Sequence, residues 1–171
     1  MKMRRLISAI IALLLVMNLS VTAFAAEWYL EDGDITVRAG DSGQTVSQGS
    51  STAVADDAPV IKQRDSATAA GSTITIQTTG DATANVTIQD INISSTGDAI
   101  DVGSSSANIT LEGDNKIFSE TGSALHVSDG DVTITGSGSL KAEIGDNKDN
   151  NAYRLNTASH NIMKESGLLD R

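Results

Sequence analysis

The chain has no cysteine, a single proline, 3% aromatic residues, and 12 basic side chains against 22 acidic ones. Each shortage closes off a class of protein. Without cysteine there is no disulfide framework, no thiol nucleophile and no thiolate-held zinc or iron–sulfur centre. A formal net charge of −10 repels phosphate backbones and anionic headgroups, so nucleic acid is excluded as a partner. Divalent cations and neutral or cation-bridged polymers are left. His126 and His160 are the only histidines, too few for a His-rich metal site or a Ser-His-Asp triad. With so few aromatics a large layered core is hard to fill, and the aliphatic residues must be buried in some narrower arrangement.

Long apolar runs are also scarce: Leu6 to Met17 is the one example, preceded by Lys2, Arg4 and Arg5 and followed by Ala23-Phe24-Ala25. A basic start, a short apolar stretch and a small-x-small motif are the signature of a secretory signal peptide, here residues 1–25. The run is short for a bilayer, which needs about 20 apolar residues. The mature chain is therefore expected to begin near Ala26, to be secreted or held at the cell surface, and to leave the membrane once the leader is cleaved. Losing three basic residues and no acidic one takes the formal charge from −10 to −13.

What the remainder does have is repetition. Val86-Thr87-Ile88, Ile109-Thr110-Leu111 and Val132-Thr133-Ile134 each read apolar-Thr-apolar, and their starts lie 23 residues apart. Gly97-Asp98-Ala99-Ile100-Asp101-Val102 matches Gly122-Ser123-Ala124-Leu125-His126-Val127, and Ile117 matches Leu140. Units this short, divided by Gly, Ser and Asp, cannot bury an apolar side alone and must stack. In a strand the side chains alternate faces. Val86, Ile109 and Val132 are then expected to pile up inside, with Thr87, Thr110 and Thr133 as one ladder outside. The expected fold is all-β, a parallel β-helix or β-solenoid, over residues 26–152.

Both ends are expected to differ. Asp32-Gly33 between Trp28-Tyr29-Leu30 and Ile35-Thr36-Val37 predicts a two-residue β-hairpin that caps the open core at Glu27–Val37. Gly40 to Ala58 reads either as short strands such as Gln44-Thr45-Val46-Ser47 or as a disordered stretch. In residues 153–171 the β pattern stops. Leu155, Ala158, Ile162 and Met163 have weak helical spacing, giving either a short capping helix or an unstructured tail.

Candidate site residues follow from this geometry. Asp98, Asp101, Asp129 and Asp131 sit at corners, where clustered carboxylates could hold calcium, an ion that takes six to eight oxygens. Turns also favour Asp with no metal present. His126 is expected to face outward beside Asp101. The polar columns Thr87/Thr110/Thr133 and Asn85/Asn108 suit the many weak hydrogen bonds of a polysaccharide, and Trp28 is considered for sugar stacking. Three functions are open: noncatalytic polysaccharide binding, a structural or adhesive spacer, and a polysaccharide lyase using Lys116 or Lys141 as base. An open solenoid end would also allow self-association.

The run from Ala107 to Val127 (ANITLEGDNKIFSETGSALHV), continued by Asp131 to Ala142 (DVTITGSGSLKA), resembles exported β-helix proteins of Firmicutes described as carbohydrate-binding domain or adhesin-like repeat proteins. The Trp28 to Val37 opening (WYLEDGDITV) is similar to the start of that domain. The resemblance implies a noncatalytic surface or secreted solenoid that binds acidic or neutral polysaccharide, sometimes with calcium. Such proteins continue into further Gly-rich coils where Tyr153 to Arg171 departs, which implies a truncated or frame-shifted member.

Overall fold

The computed structural model describes residues 25–145 and the backbone of 155–157. The signal-peptide reading, apart from Ala25, and the tail reading, apart from 155–157, lie outside these residues. The protein is a parallel β-solenoid with three sheets. The first sheet is formed by β1 (Glu27–Tyr29), β5 (Val60–Lys62), β7 (Thr83–Gln89), β10 (Ser106–Glu112) and β13 (Val132–Gly136). The second holds β8 (Asn92–Ser95), β11 (Asp114–Ser119) and β14 (Ser139–Ile144), with Ala70 bridged to Ile93. The third runs β4 (Val54–Ala55), β3 (Gly43–Gln48), β2 (Ile35–Gly40), β6 (Ile74–Thr78), β9 (Ile100–Gly103), β12 (Leu125–Val127) and β15 (Leu155–Thr157). From β7 onward each coil visits the three sheets in that order, and equivalent strands pair in parallel one coil apart.

Strict alternation of buried and open residues drives the winding. Along β10, Ala107, Ile109 and Leu111 are buried while Asn108 and Glu112 are exposed. Inward columns then form by register: Ile61, Ile88 and Leu111 in the first sheet, and Ile35, Ile74, Ile100 and Leu125 in the third. These residues lie in one continuous core, and burial of each large aliphatic side chain contributes about 1.5–3 kcal/mol.

The register corrects the spacing read from the triplets. Val86 pairs with Ile109 across 23 residues, but Ile109 pairs with Ile134, not Val132, across 25. Ile117 likewise meets Ala142, not Leu140. Val132 is still buried, beneath Ala107. The outer threonine ladder is therefore Thr87/Thr110/Thr135, and Thr133 continues the Asn85/Asn108 column. β13 reads Val-Thr-Ile-Thr, so a two-residue slip leaves every side chain on its own face and the triplet match survives it.

The coil grows at its corners. Asn92 pairs with Lys116 across 24 residues, and Ile100 with Leu125 across 25. The first added residue is accommodated at Asn115, which is 1% exposed. Its Oδ1 accepts the Ile91 N–H at 3.2 Å, while Nδ2 donates to the Glu112 and Ser139 carbonyls, both at 3.0 Å. One amide thus ties three successive coils at a bend where the backbone ladder is interrupted.

The predicted Glu27–Val37 hairpin does not form. β1 pairs in parallel with β5 in the first sheet, and β2 belongs to the third, with a single 3-10 turn at Leu30–Asp32 as the corner between them. The hairpin at this end is β2–β3, extended by β4 from the stretch for which disorder was considered. It closes the end through Gln44, 5% exposed. The Gln44 side chain donates to the Asn85 carbonyl at 2.9 Å and accepts the Asn85 N–H at 2.8 Å, standing in for a missing strand. At the far end Leu155–Thr157 is a strand paired with β12, so the β pattern continues past residue 152 and the helical reading of Leu155 is overturned.

Candidate functional site

The outer face of the first sheet is a grid of amides and hydroxyls. One column is Asn85, Asn108 and Thr133, with Asn108 Nδ2 donating to Asn85 Oδ1 at 3.0 Å. The next is Thr87, Thr110 and Thr135, with Val60 above Thr87. A third column, Tyr29, Lys62, Gln89 and Glu112, borders the face on its downstream side. At about 3.3 Å per residue the face is roughly 13 Å wide from Asn85 to Gln89.

A hollow of about 340 Å³ opens at that border, lined by Tyr29, Lys62, Gln63, Arg64, Gln89 and Asp90. The Arg64 guanidinium lies 4.0 Å and the Lys62 ammonium 5.3 Å from the centre of the Tyr29 ring, so two cations are held against one aromatic. Each is also ion-paired. Lys62 Nζ is 2.5 Å from Glu27 Oε1, and Arg64 makes a two-pronged contact with Asp32 at 2.9 and 2.7 Å. The Tyr29 hydroxyl donates to Glu27 Oε2 at 2.6 Å. Lys62, then Tyr29, hold the Glu27 carboxyl below its ordinary value, and Arg64 does the same for Asp32. Burial pushes Glu31 upward, but the backbone N–H groups of Glu31 itself, Asp65 and Arg64 outweigh it and leave its carboxyl low. Glu27 raises Lys62, and Asp32 raises Arg64. With both cations paired, and with the Gln63 amide taken up by the Asp65 and Thr68 carbonyls and the Asn92 N–H, the hollow offers the Gln89 amide and the Asp90 carboxylate without surplus positive charge.

Trp28 is not available for stacking on sugar. It packs against the core in register with Ile61, and its Nε1 donates to Asp56 at 2.8 Å. Strand alternation places its neighbour Tyr29 outside instead.

Two of the four aspartates considered for calcium come together. Asp98 and Asp101 converge on His126, with Nδ1 at 2.9 Å from Asp101 Oδ1 and 3.4 Å from Asp98 Oδ2. Asp98 Oδ1 also accepts the Ser123 N–H at 2.6 Å. Asp129 and Asp131 are exposed, and among the described residues they join no such group. Two carboxylates around an imidazole nitrogen do not fit calcium, which wants six to eight oxygens; an imidazole suits transition metals. Lys116 and Lys141 are register partners on the second sheet, and Lys141 is 2.9 Å from Glu143. They stand on a different sheet from Asp101 and His126.

Residue-by-residue reading missed the Tyr29 hollow because Gln63, Arg64 and Asp90 come from corners with no repeat signature. The available signal was Tyr29 itself, whose outward direction follows once Trp28 faces inward. The chain matches no family model, no curated protein and no solved structure.

Proposed function

We propose that the protein is a noncatalytic, exported polysaccharide-binding solenoid, and that it binds a neutral glycan along the outer face of the first sheet. The observation that carries this reading is the continuity of the Asn85/Asn108/Thr133 and Thr87/Thr110/Thr135 columns with the Tyr29 hollow. Rows about 4.8 Å apart present hydroxyls and amides at regular intervals to a polymer of hydroxyls, and Gln89 and Asp90 supply directional contacts at one margin. A neutral chain is favoured over a polyuronate because Lys62 and Arg64 are already paired and the remaining surface is strongly acidic.

The test is a panel of neutral and uronate-containing polysaccharides offered to the exported protein, with and without calcium. Neutral polymers are expected to bind regardless of calcium. Failure to bind any of them would leave the same columns as the surface of a structural spacer.

A further inference from the structure

The β4 end of the solenoid buries a carboxylate whose partners among the described residues are all neutral. Asp56 is 1% exposed. Its Oδ2 accepts the Trp28 Nε1–H at 2.8 Å and the Ala26 N–H at 3.2 Å, and its Oδ1 accepts the Ala58 N–H at 3.2 Å. Its own backbone is tied to Gln44, which donates Nε2 to the Asp56 carbonyl and accepts the Asp56 N–H, each at 3.0 Å. Among the described residues no lysine, arginine or histidine pairs with it. A buried charge without a counter-charge is costly, and hydrogen bonds to neutral donors offset only part of that cost.

The missing charge can come from the chain itself. Ala26 directly follows Ala23-Phe24-Ala25, the small-x-small motif of the leader. We propose that cleavage between Ala25 and Ala26 turns the Ala26 nitrogen into an ammonium that pairs with Asp56 and locks the end of the solenoid. This rests on the reading of residues 1–25 as an export leader. In the step, a leader peptidase adds water across the Ala25–Ala26 peptide bond. The C–N bond breaks, the water oxygen stays with Ala25 as a carboxylate, and both protons of the water end on the Ala26 nitrogen, which with its own hydrogen becomes an ammonium.

No movement is needed to form the pair. The Ala26 carbonyl already accepts the Val60 N–H at 3.0 Å, which holds β1 on β5, while Asp56 belongs to the hairpin side of the cap. The ion pair therefore joins the first strand to the cap, and it exists only in the processed chain. An uncleaved precursor presents one neutral N–H at the same place.

The experiment is to export the full precursor from a bacterial host, read the start of the product by intact mass, and compare urea unfolding of the free-amine and α-acetylated forms. The expected product begins at Ala26, and acetylation, which keeps an N–H but removes the charge, lowers its folding equilibrium constant about tenfold. In Asp56→Asn the same acetylation should change it less than about twofold. A product uncleaved or cut elsewhere overturns the export premise. A product beginning at Ala26 whose free and acetylated forms are equally stable overturns the ion pair alone. If Asp56→Asn does not fold, the comparison in the unaltered protein decides.

Discussion

Asn108, and not Thr110, is the register partner of Thr133. Cysteines placed at Asn108 and Thr133, side by side on adjacent parallel strands, should therefore oxidise to a disulfide, whose Cα atoms need a separation of about 4.4–6.8 Å. Thr110 with Thr133 is a diagonal pair and should not cross-link, whereas Thr110 with Thr135 should. Thiol titration and non-reducing mass analysis distinguish the 25-residue step from a 23-residue one.

Asn115 satisfies backbone groups on three coils, so its replacement is expected to be among the costly polar changes in the protein. Asn115→Leu leaves the buried Ile91 N–H without its acceptor, at about 1–3 kcal/mol if it finds no water, and takes one donor each from the Ser139 carbonyl and from the Glu112 carbonyl, which keeps the Asp90 N–H at 3.3 Å. A loss of about 2–4 kcal/mol in urea unfolding is expected. A loss below about 1 kcal/mol would mean that the corner does not depend on this amide.

Gly136 combines a φ of +104° with contact so close that an added Cβ would sit 2.2 Å from the Leu111 carbonyl oxygen. Gly136→Ala is expected to cost about 2 kcal/mol or more, because both the backbone conformation and the adjacent coil must shift. Gly71→Ala is the control, since nothing lies within 4 Å of its added methyl and its φ is not in the left-handed region. Thermal melting of the two variants should separate them clearly.

The pairs around Tyr29 should respond to pH at both extremes. Glu27 and Asp32 have carboxyls lowered by Lys62 and Arg64, so their contribution is present above the unfolded values of about 4.3 and 3.9 and is lost as pH falls through the lower folded ones. Lys62 is raised, so its contribution is present below about 10.4 and is lost as pH rises through the higher folded value. Carboxyl-carbon and Tyr29 ring shifts measured by NMR should show the ring environment changing at these two ends and staying constant between them.

If the Tyr29 hollow and the polar grid act together on a glycan, single losses should be modest and graded. Gln89→Ala and Thr110→Ala are each expected to weaken binding about three- to tenfold, the size of one neutral hydrogen bond. Lys141→Ala, on the second sheet, should leave binding unchanged. Calorimetric titration with the best polymer of the panel provides the measurement, and equal effects from all three variants would move the binding face elsewhere.

The solenoid was legible because its signal is local. Val86, Ile88, Ile109 and Leu111 alternate with Thr87 and Thr110 strongly enough that the sheet, the inward face and the outward face follow directly. The hairpin at Asp32-Gly33 was misplaced because the same dipeptide also suits the corner of a coil, and what separates the two outcomes is the distant partner, Val60 for Glu27 instead of a returning strand. The Tyr29 hollow was hidden for a similar reason: Arg64 reaches Tyr29 only because one coil lies above the next.

Composition and alternation alone determined that this chain forms parallel strands around a thin aliphatic interior and presents an acidic, polar exterior. Those properties reside in each short run and need no partner. Register, corner geometry and the company kept by Tyr29, Asn115 and Asp56 were decided only in the folded protein. A step of two residues changes no side chain's face, so it costs the pattern nothing, and only the hydrogen bonds of the neighbouring coil select among the possible steps.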